Sequence, residues 1–147
     1  MGLGLKIGMF AFVGIGVLAG IGGAKFAIHG DTRTPEQKLA SAKSYFDSRC
    51  SGVTRNRYIN GKLGRGHIYC KCIAKKLDPV IKNPDEYRYL AKLQSGVVKE
   101  RWVFQKSRIT AAVTSVRKEY MPILGPQRIR SANQTFFPSA KACTKSI

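Results

Sequence analysis

Four cysteines and two histidines are the residues of this chain best equipped for chemistry, and their spacing narrows what that chemistry is. Cys50, Cys70, Cys72 and Cys143 form an even set, and His67 stands three residues before Cys70. Cys50, His67, Cys70 and Cys72 together make a Cys3His set of zinc-ligand types, and His67-x-x-Cys70 has the spacing of a ligand pair. Against a zinc centre, Cys70 and Cys72 are two apart on an expected helix. They point about 200° away from each other, which suits two partners better than one tetrahedral ion. The chain holds no C-x-x-C redox pair and no C-x-x-C-H haem motif.

Two disulfides are the favoured reading, although four cysteines allow three pairings. An antiparallel hairpin of the helices that carry Cys50 and Cys70 brings those two together, and Cys143 then clamps the chain end onto Cys72. Such bridges are structural, and they imply an oxidising compartment.

Acid–base catalysis has few parts. Only His67 lies where a general base is imaginable, and neither a serine nucleophile elbow nor a metal-hydrolase helix accompanies it. Asp85 and Glu86 are adjacent carboxylates, but a helix start explains them, because the macrodipole favours acids there. His29 borders an apolar run. No phosphate-binding G-x-x-x-x-G-K-[ST] loop is present. The expectation is a non-catalytic protein without cofactor or metal.

The charge is the second chemical feature. The 147 residues carry 26 Lys and Arg against 8 Asp and Glu, a net +18. Three places are densest: Arg55, Arg57, Lys62 and Arg65; Lys71, Lys75 and Lys76; and Lys99, Arg101, Lys106 and Arg108. The first and third groups are the expected polyanion-facing residues. Aromatics lie among the cations, as in Arg57-Tyr58 and Arg101-Trp102, a mixture that can grip phosphates and bases. No nucleic-acid module accompanies it, so anionic lipid, a cell-envelope polymer or an acidic protein surface fits as well. Nucleic acid is the least favoured of these partners.

The elements that must position these groups read as helices. Thr34-Pro-Glu-Gln37 is a cap, a first-turn proline and a capping-box glutamine, and it opens a helix to about Arg49. Residues 51–66 read as a loop with a turn at Asn60-Gly61. A short helix follows over about His67–Asp78, and Asn83-Pro84 starts another that Gln94-Ser95-Gly96 should end. The longest element is expected over about Val97–Tyr120, with Val98, Trp102, Ile109, Val113, Val116 and Tyr120 on one broad stripe. Residues 122–147, with Pro122, Pro126 and Pro138, read as an irregular tail held by Cys143. Asn133-Gln-Thr135 is a sequon.

Residues 7–24 (IGMFAFVGIGVLAGIGGA) carry no charge between Lys6 and Lys25. As a helix they rise about 27 Å, just under the hydrocarbon core, and the two lysines can snorkel to its faces. Gly16 and Gly20 form a GxxxG pair, and Ala19 with Gly23 repeats the spacing, a ridge that lets membrane helices approach closely. A cleaved signal is the rival reading, with a small-x-small site at Gly22 and Ala24.

The fold class expected is therefore all-α: an N-terminal transmembrane helix (1–30), then a disulfide-stapled basic bundle of about four helices (31–121), then the irregular tail (122–147). The function expected is that of a single-pass membrane protein. Its exported domain, periplasmic or extracellular, would serve as accessory subunit of a membrane complex or as a binding module, with protein partners or a homo-oligomer packed through the glycine face. The alternatives are a zinc-stapled cytoplasmic nucleic-acid binder and a secreted cationic factor.

Overall fold

The computed structural model describes residues 30–101 and 106–147; for residues 99–101 and 106 it describes the backbone alone. The expected membrane run, with Gly16, Ala19, Gly20 and Gly23, lies outside the described residues. Among the described residues no helix is long and apolar enough to cross a membrane. Residues 35–147 form one compact unit.

That unit is helical and carries two disulfides. Helix α1 (Pro35–Thr54) leads into a hairpin of two short strands, β1 (Tyr58–Ile59) and β2 (Lys62–Leu63). Helices α2 (Gly66–Leu77), α3 (Pro84–Arg101) and α4 (Lys106–Lys145) follow. Helix α3 packs against α1 and α4, and α2 packs against the same two, so the four helices close a ring around one core. Phe46 of α1, Ile73 and Leu77 of α2, Tyr87, Leu90 and Leu93 of α3, and Ile129, Ala132 and Phe136 of α4 fill it. Phe46 meets Tyr87 edge-on, ring centres 6.1 Å apart.

The helix starts follow the chain chemistry. At α3, Asn83 accepts the Asp85 amide on its side-chain oxygen at 2.8 Å, satisfying one of the orphan donors of the first turn. The Asn60-Gly61 turn closes the hairpin, both residues taking positive φ (52° and 74°) as a two-residue connection requires.

Three expectations are corrected. Helix α1 runs past Arg49 to Thr54, because Cys50 and Thr54 are both buried and the last turn packs rather than frays. Gly96 does not end α3. A Cβ there would stand 3.3 Å from that of Ala112, so the glycine lets α3 and α4 approach, and the helix continues to Arg101. Buried Ser95 returns its hydroxyl to the Ala91 carbonyl at 2.8 Å, staying inside the helix instead of breaking it.

The largest correction is the tail. Residues 122–145 are helical, and α4 breaks only at Gly125 (φ 74°, ψ 166°). Pro126 bars its predecessor from the helical region, and glycine alone takes that positive φ without strain. The arm beyond the kink buries Ile129, Ala132, Phe136 and Cys143, a stripe at helical spacing. Asn133 of the sequon lies on this arm and is half-buried, accepting the Tyr89 hydroxyl at 2.9 Å.

Candidate interaction surface

Helix α2 is the piece on which the cysteine chemistry converges. Cys50 of α1 bonds Cys70, and Cys72 bonds Cys143 of α4, each pair with Cα atoms 5.8 Å apart. Two residues apart on α2, Cys70 and Cys72 reach opposite neighbours, so the helix is bridged on both flanks. No free thiol remains. The Cys3His zinc set is therefore not assembled: Cys50 and Cys70 bond each other, Cys72 bonds Cys143, and His67 stands exposed at the start of α2. Among the described residues no three Cys, His, Asp or Glu side chains gather as a metal site.

Around Cys50–Cys70 the packing is tight. Thr54 donates its hydroxyl to the Cys50 carbonyl at 2.7 Å, and that same oxygen lies 3.5 Å from the Cys70 sulfur. Gly66 sits so close beneath it that a Cβ would stand 2.4 Å from the Thr54 hydroxyl and 2.7 Å from its carbonyl oxygen. Gln94 of α3 points its Nε2 at the Cys50 sulfur from 2.8 Å, while its buried Oε1 has no partner among the described residues.

This disulfide closes a loop that contains the whole hairpin. Arg55, Arg57, Lys62 and Arg65 all lie in the loop. Between Asp47 and Asp78 the chain has eight Lys and Arg and no Asp or Glu. All eight are exposed except Arg57, which is half-buried. Outside this stretch, ion pairs join Asp31 to Arg33, Lys43 to Asp78, Arg88 to Asp85 and Lys92 to Glu119. Lys62 reaches instead to the main-chain oxygen of Ile147 at 2.5 Å. Beside the hairpin a recess is lined by Gly52, Val53, Arg55, Asn56 and Arg57.

The third basic group is not brought together on one helix. Lys99 and Arg101 belong to the end of α3, and Lys106 and Arg108 to the start of α4. Arg108 is exposed; the side chains of the other three lie outside the described residues.

Two apolar side chains complete the surface: Tyr58, already singled out beside Arg57, and Leu63, which residue-by-residue reading missed. Tyr58 and Leu63 are cross-strand partners, so both point from the same, outer face of the hairpin, 59% and 56% exposed. Ile59, opposite Lys62, turns the other way and is buried. The alternation Tyr58-Ile59 before Asn60-Gly61 is the signal that could have placed them.

A second concavity runs between α2, α3 and the last arm of α4, with Tyr69, Val97, Phe136 and Phe137 in its walls and Lys141 and Lys145 among its lining residues. Among the described residues its lining is mostly apolar, with the two lysines and Gln94 among its polar groups. The chain matches no protein-family model, no curated protein and no solved structure.

Proposed function

We propose that this chain is a non-catalytic single-pass membrane protein whose disulfide-stapled basic domain lies outside the cytoplasm. There it acts as a binding module or as accessory subunit of a membrane complex. The observation that carries the reading is the pairing of all four cysteines, with Cys50, Cys70 and Cys143 buried. Disulfides of this kind persist where thiols are oxidised, and are rare where glutathione keeps them reduced. The charge-free run 7–24, with its Gly16/Gly20 and Ala19/Gly23 ridge, supplies a means of reaching that side and staying at the membrane. The acid-free basic surface supplies what the module would bind with.

The deciding measurement is the intact mass of protein taken from its native cell without reductant, before and after alkylation, on material that resists alkaline extraction from membranes. A full-length mass lower by four hydrogens, with no thiol labelled, is the expected result. Four labelled thiols would overturn the exported reading. Loss of the first 24 residues would instead support the secreted cationic factor, which the Gly22/Ala24 site favours.

A further inference from the structure

We propose that the loop closed by Cys50–Cys70 presents its hairpin to an anionic lipid bilayer. Tyr58 and Leu63 enter the head-group layer, and Arg55, Arg57 and Arg65 meet lipid phosphates. The inference deepens the membrane-anchored reading and rests on it for the nearness of a bilayer.

Three observations combine. First, the two side chains on the hairpin's outer face are large and apolar, and each leaves more than half its surface in water. Single exposed apolar residues are ordinary; an aligned cross-strand pair on one exposed face is a contact surface. Second, the disulfide loop that carries the pair holds four cations and no acid; Lys62 leaves the opposite face with Ile59, while Arg55, Arg57 and Arg65 lie outside the two strands. Third, the recess bounded by Arg55, Asn56 and Arg57 lies immediately before β1, with guanidinium donors suited to a phosphate.

A bilayer interface answers all three. Tyrosine favours the head-group level, where its ring is buried and its hydroxyl stays wet, and leucine partitions just beneath. Basic residues are drawn to the negative potential of anionic lipid. A hydrated polyanion answers only the second and third. Tyr58 can stack on a base, but Leu63 offers no face for stacking, and against a polysaccharide or nucleic acid it would stay largely in water. The disulfide matters because a two-stranded hairpin this short does not hold its shape alone. Bridged at Cys50 and Cys70, it is held ready and loses little freedom on docking.

The test uses the full chain on two vesicle compositions, pure phosphatidylcholine and phosphatidylcholine with about a third phosphatidylglycerol. Flotation with the first reads the apolar run alone. Amide hydrogen exchange of residues 58–65 reads the hairpin. Exchange there is expected to slow by about tenfold or more on the anionic vesicles relative to the neutral ones. The protection should disappear in high salt, since surface attraction falls off within a Debye length. It should also disappear in Tyr58→Ser/Leu63→Ser and in Arg55→Gln/Arg65→Gln. All-exposed substitutions leave the fold intact, and unchanged resistance of the four cysteines to alkylation verifies it in each variant.

Equal exchange on the two compositions would overturn the proposal. So would protection of the same size when a sulfated polysaccharide or an oligonucleotide is added to neutral vesicles, because the surface would then be a polymer site. Failure to float with neutral vesicles would sink the anchor but not the hairpin. Binding to the anionic vesicles would then read the hairpin directly, with Arg55→Gln/Arg65→Gln expected to bind about 30-fold more weakly. Loss of binding below that factor would count against it.

Discussion

Two regions lie within a few residues of each other and are built on opposite rules. Where α1 meets α2, Cys50, Thr54, Gly66 and Cys70 are packed so closely that one added carbon has no room. On the hairpin between them, two large apolar side chains face solvent, and the loop that carries the cations holds no carboxylate. The difference shows where order comes from. The hairpin contributes almost nothing to the core beyond Ile59, and it is held from its ends. A surface so arranged can be chosen for what it contacts, since stability is supplied elsewhere.

The strongest way to separate the regions is to remove each bridge in turn. Cys72–Cys143 closes a sequence separation of 71, and Cys50–Cys70 one of 20. On the chain-entropy model, Cys72→Ala/Cys143→Ala should cost about 4 kcal/mol and Cys50→Ala/Cys70→Ala about 3 kcal/mol. At roughly 4 °C per kcal/mol for a domain of this size, melting temperatures should fall by about 16 °C and about 12 °C. Calorimetry gives the order, and hydrogen exchange gives the contrast. Only the smaller loss should loosen residues 58–65 ahead of global unfolding. If both variants loosen the hairpin equally, the bridge at its base is not what holds it.

Gly66→Ala attacks the packed region without touching a disulfide. The new methyl meets the Thr54 hydroxyl and a main-chain oxygen, and only the first can turn aside. Overpacking of this sort should cost about 2 kcal/mol, read as a lower denaturant midpoint at unchanged slope. An alanine at exposed Gly52, where nothing lies within 4 Å, should cost nothing and serves as the control.

Asp78 sharpens the comparison on the electrostatic side, because the carboxylate that closes the acid-free stretch is engaged in the body of the domain. Lys43 stands 2.9 Å from its Oδ1, and the Tyr87 hydroxyl donates to the same oxygen at 2.7 Å. Hydrogen bonds from Lys43 and then Tyr87 hold the Asp78 carboxyl below its usual value of 3.8. A depressed carboxylate stabilises the fold above its unfolded value, so this contribution is complete at neutral pH. It is lost as pH falls below 3.8 through the folded value. Tyr87→Phe should cost about 1 kcal/mol at pH 7 and flatten that acid limb, measured by urea titrations at several pH values. Burial, followed by the Asp78 hydrogen bond, pushes the Tyr87 phenol upward from its ordinary value of 10.0. Stability should therefore also fall as pH rises above that value, and the Phe variant should lose part of that decline.

The same contrast explains what could be read from the chain. Cys70 and Cys72, two apart, point to two different partners by spacing alone, and Asn83-Pro84 and Asn60-Gly61 mark a helix start and a turn where they occur. Gly96 could not be read that way. Whether a glycine breaks a helix or lets another approach depends on Ala112, on the neighbouring helix. The last arm of α4 was hidden for a related reason. Its buried stripe includes Ala132 and Cys143 beside half-buried Asn133, small or polar residues whose periodicity carries little hydrophobic signal, and three prolines suggested a coil. Pro122 and Pro138 are exposed and stay within the helix; only Pro126, acting through Gly125, bends it. The cations of the candidate surface were legible from density alone. Tyr58 was legible beside Arg57, but Leu63 was not, because what sets it opposite Tyr58 is the pairing across the turn.

The smallest expected effect is the most informative about the hairpin. Tyr58→Ser/Leu63→Ser removes two large apolar side chains, a change that inside the core would cost several kcal/mol. Here more than half of each residue's surface is already in water, and Ile59 is the buried apolar residue of the hairpin. The unfolding free energy, by urea titration in the absence of lipid, should change by no more than about 0.5 kcal/mol. Any larger loss would mean that the pair supports the fold and that the hairpin belongs with the packed region. A change inside that limit leaves the two side chains with no structural task. Their position in a basic loop without acids would then be accounted for only by what the surface meets.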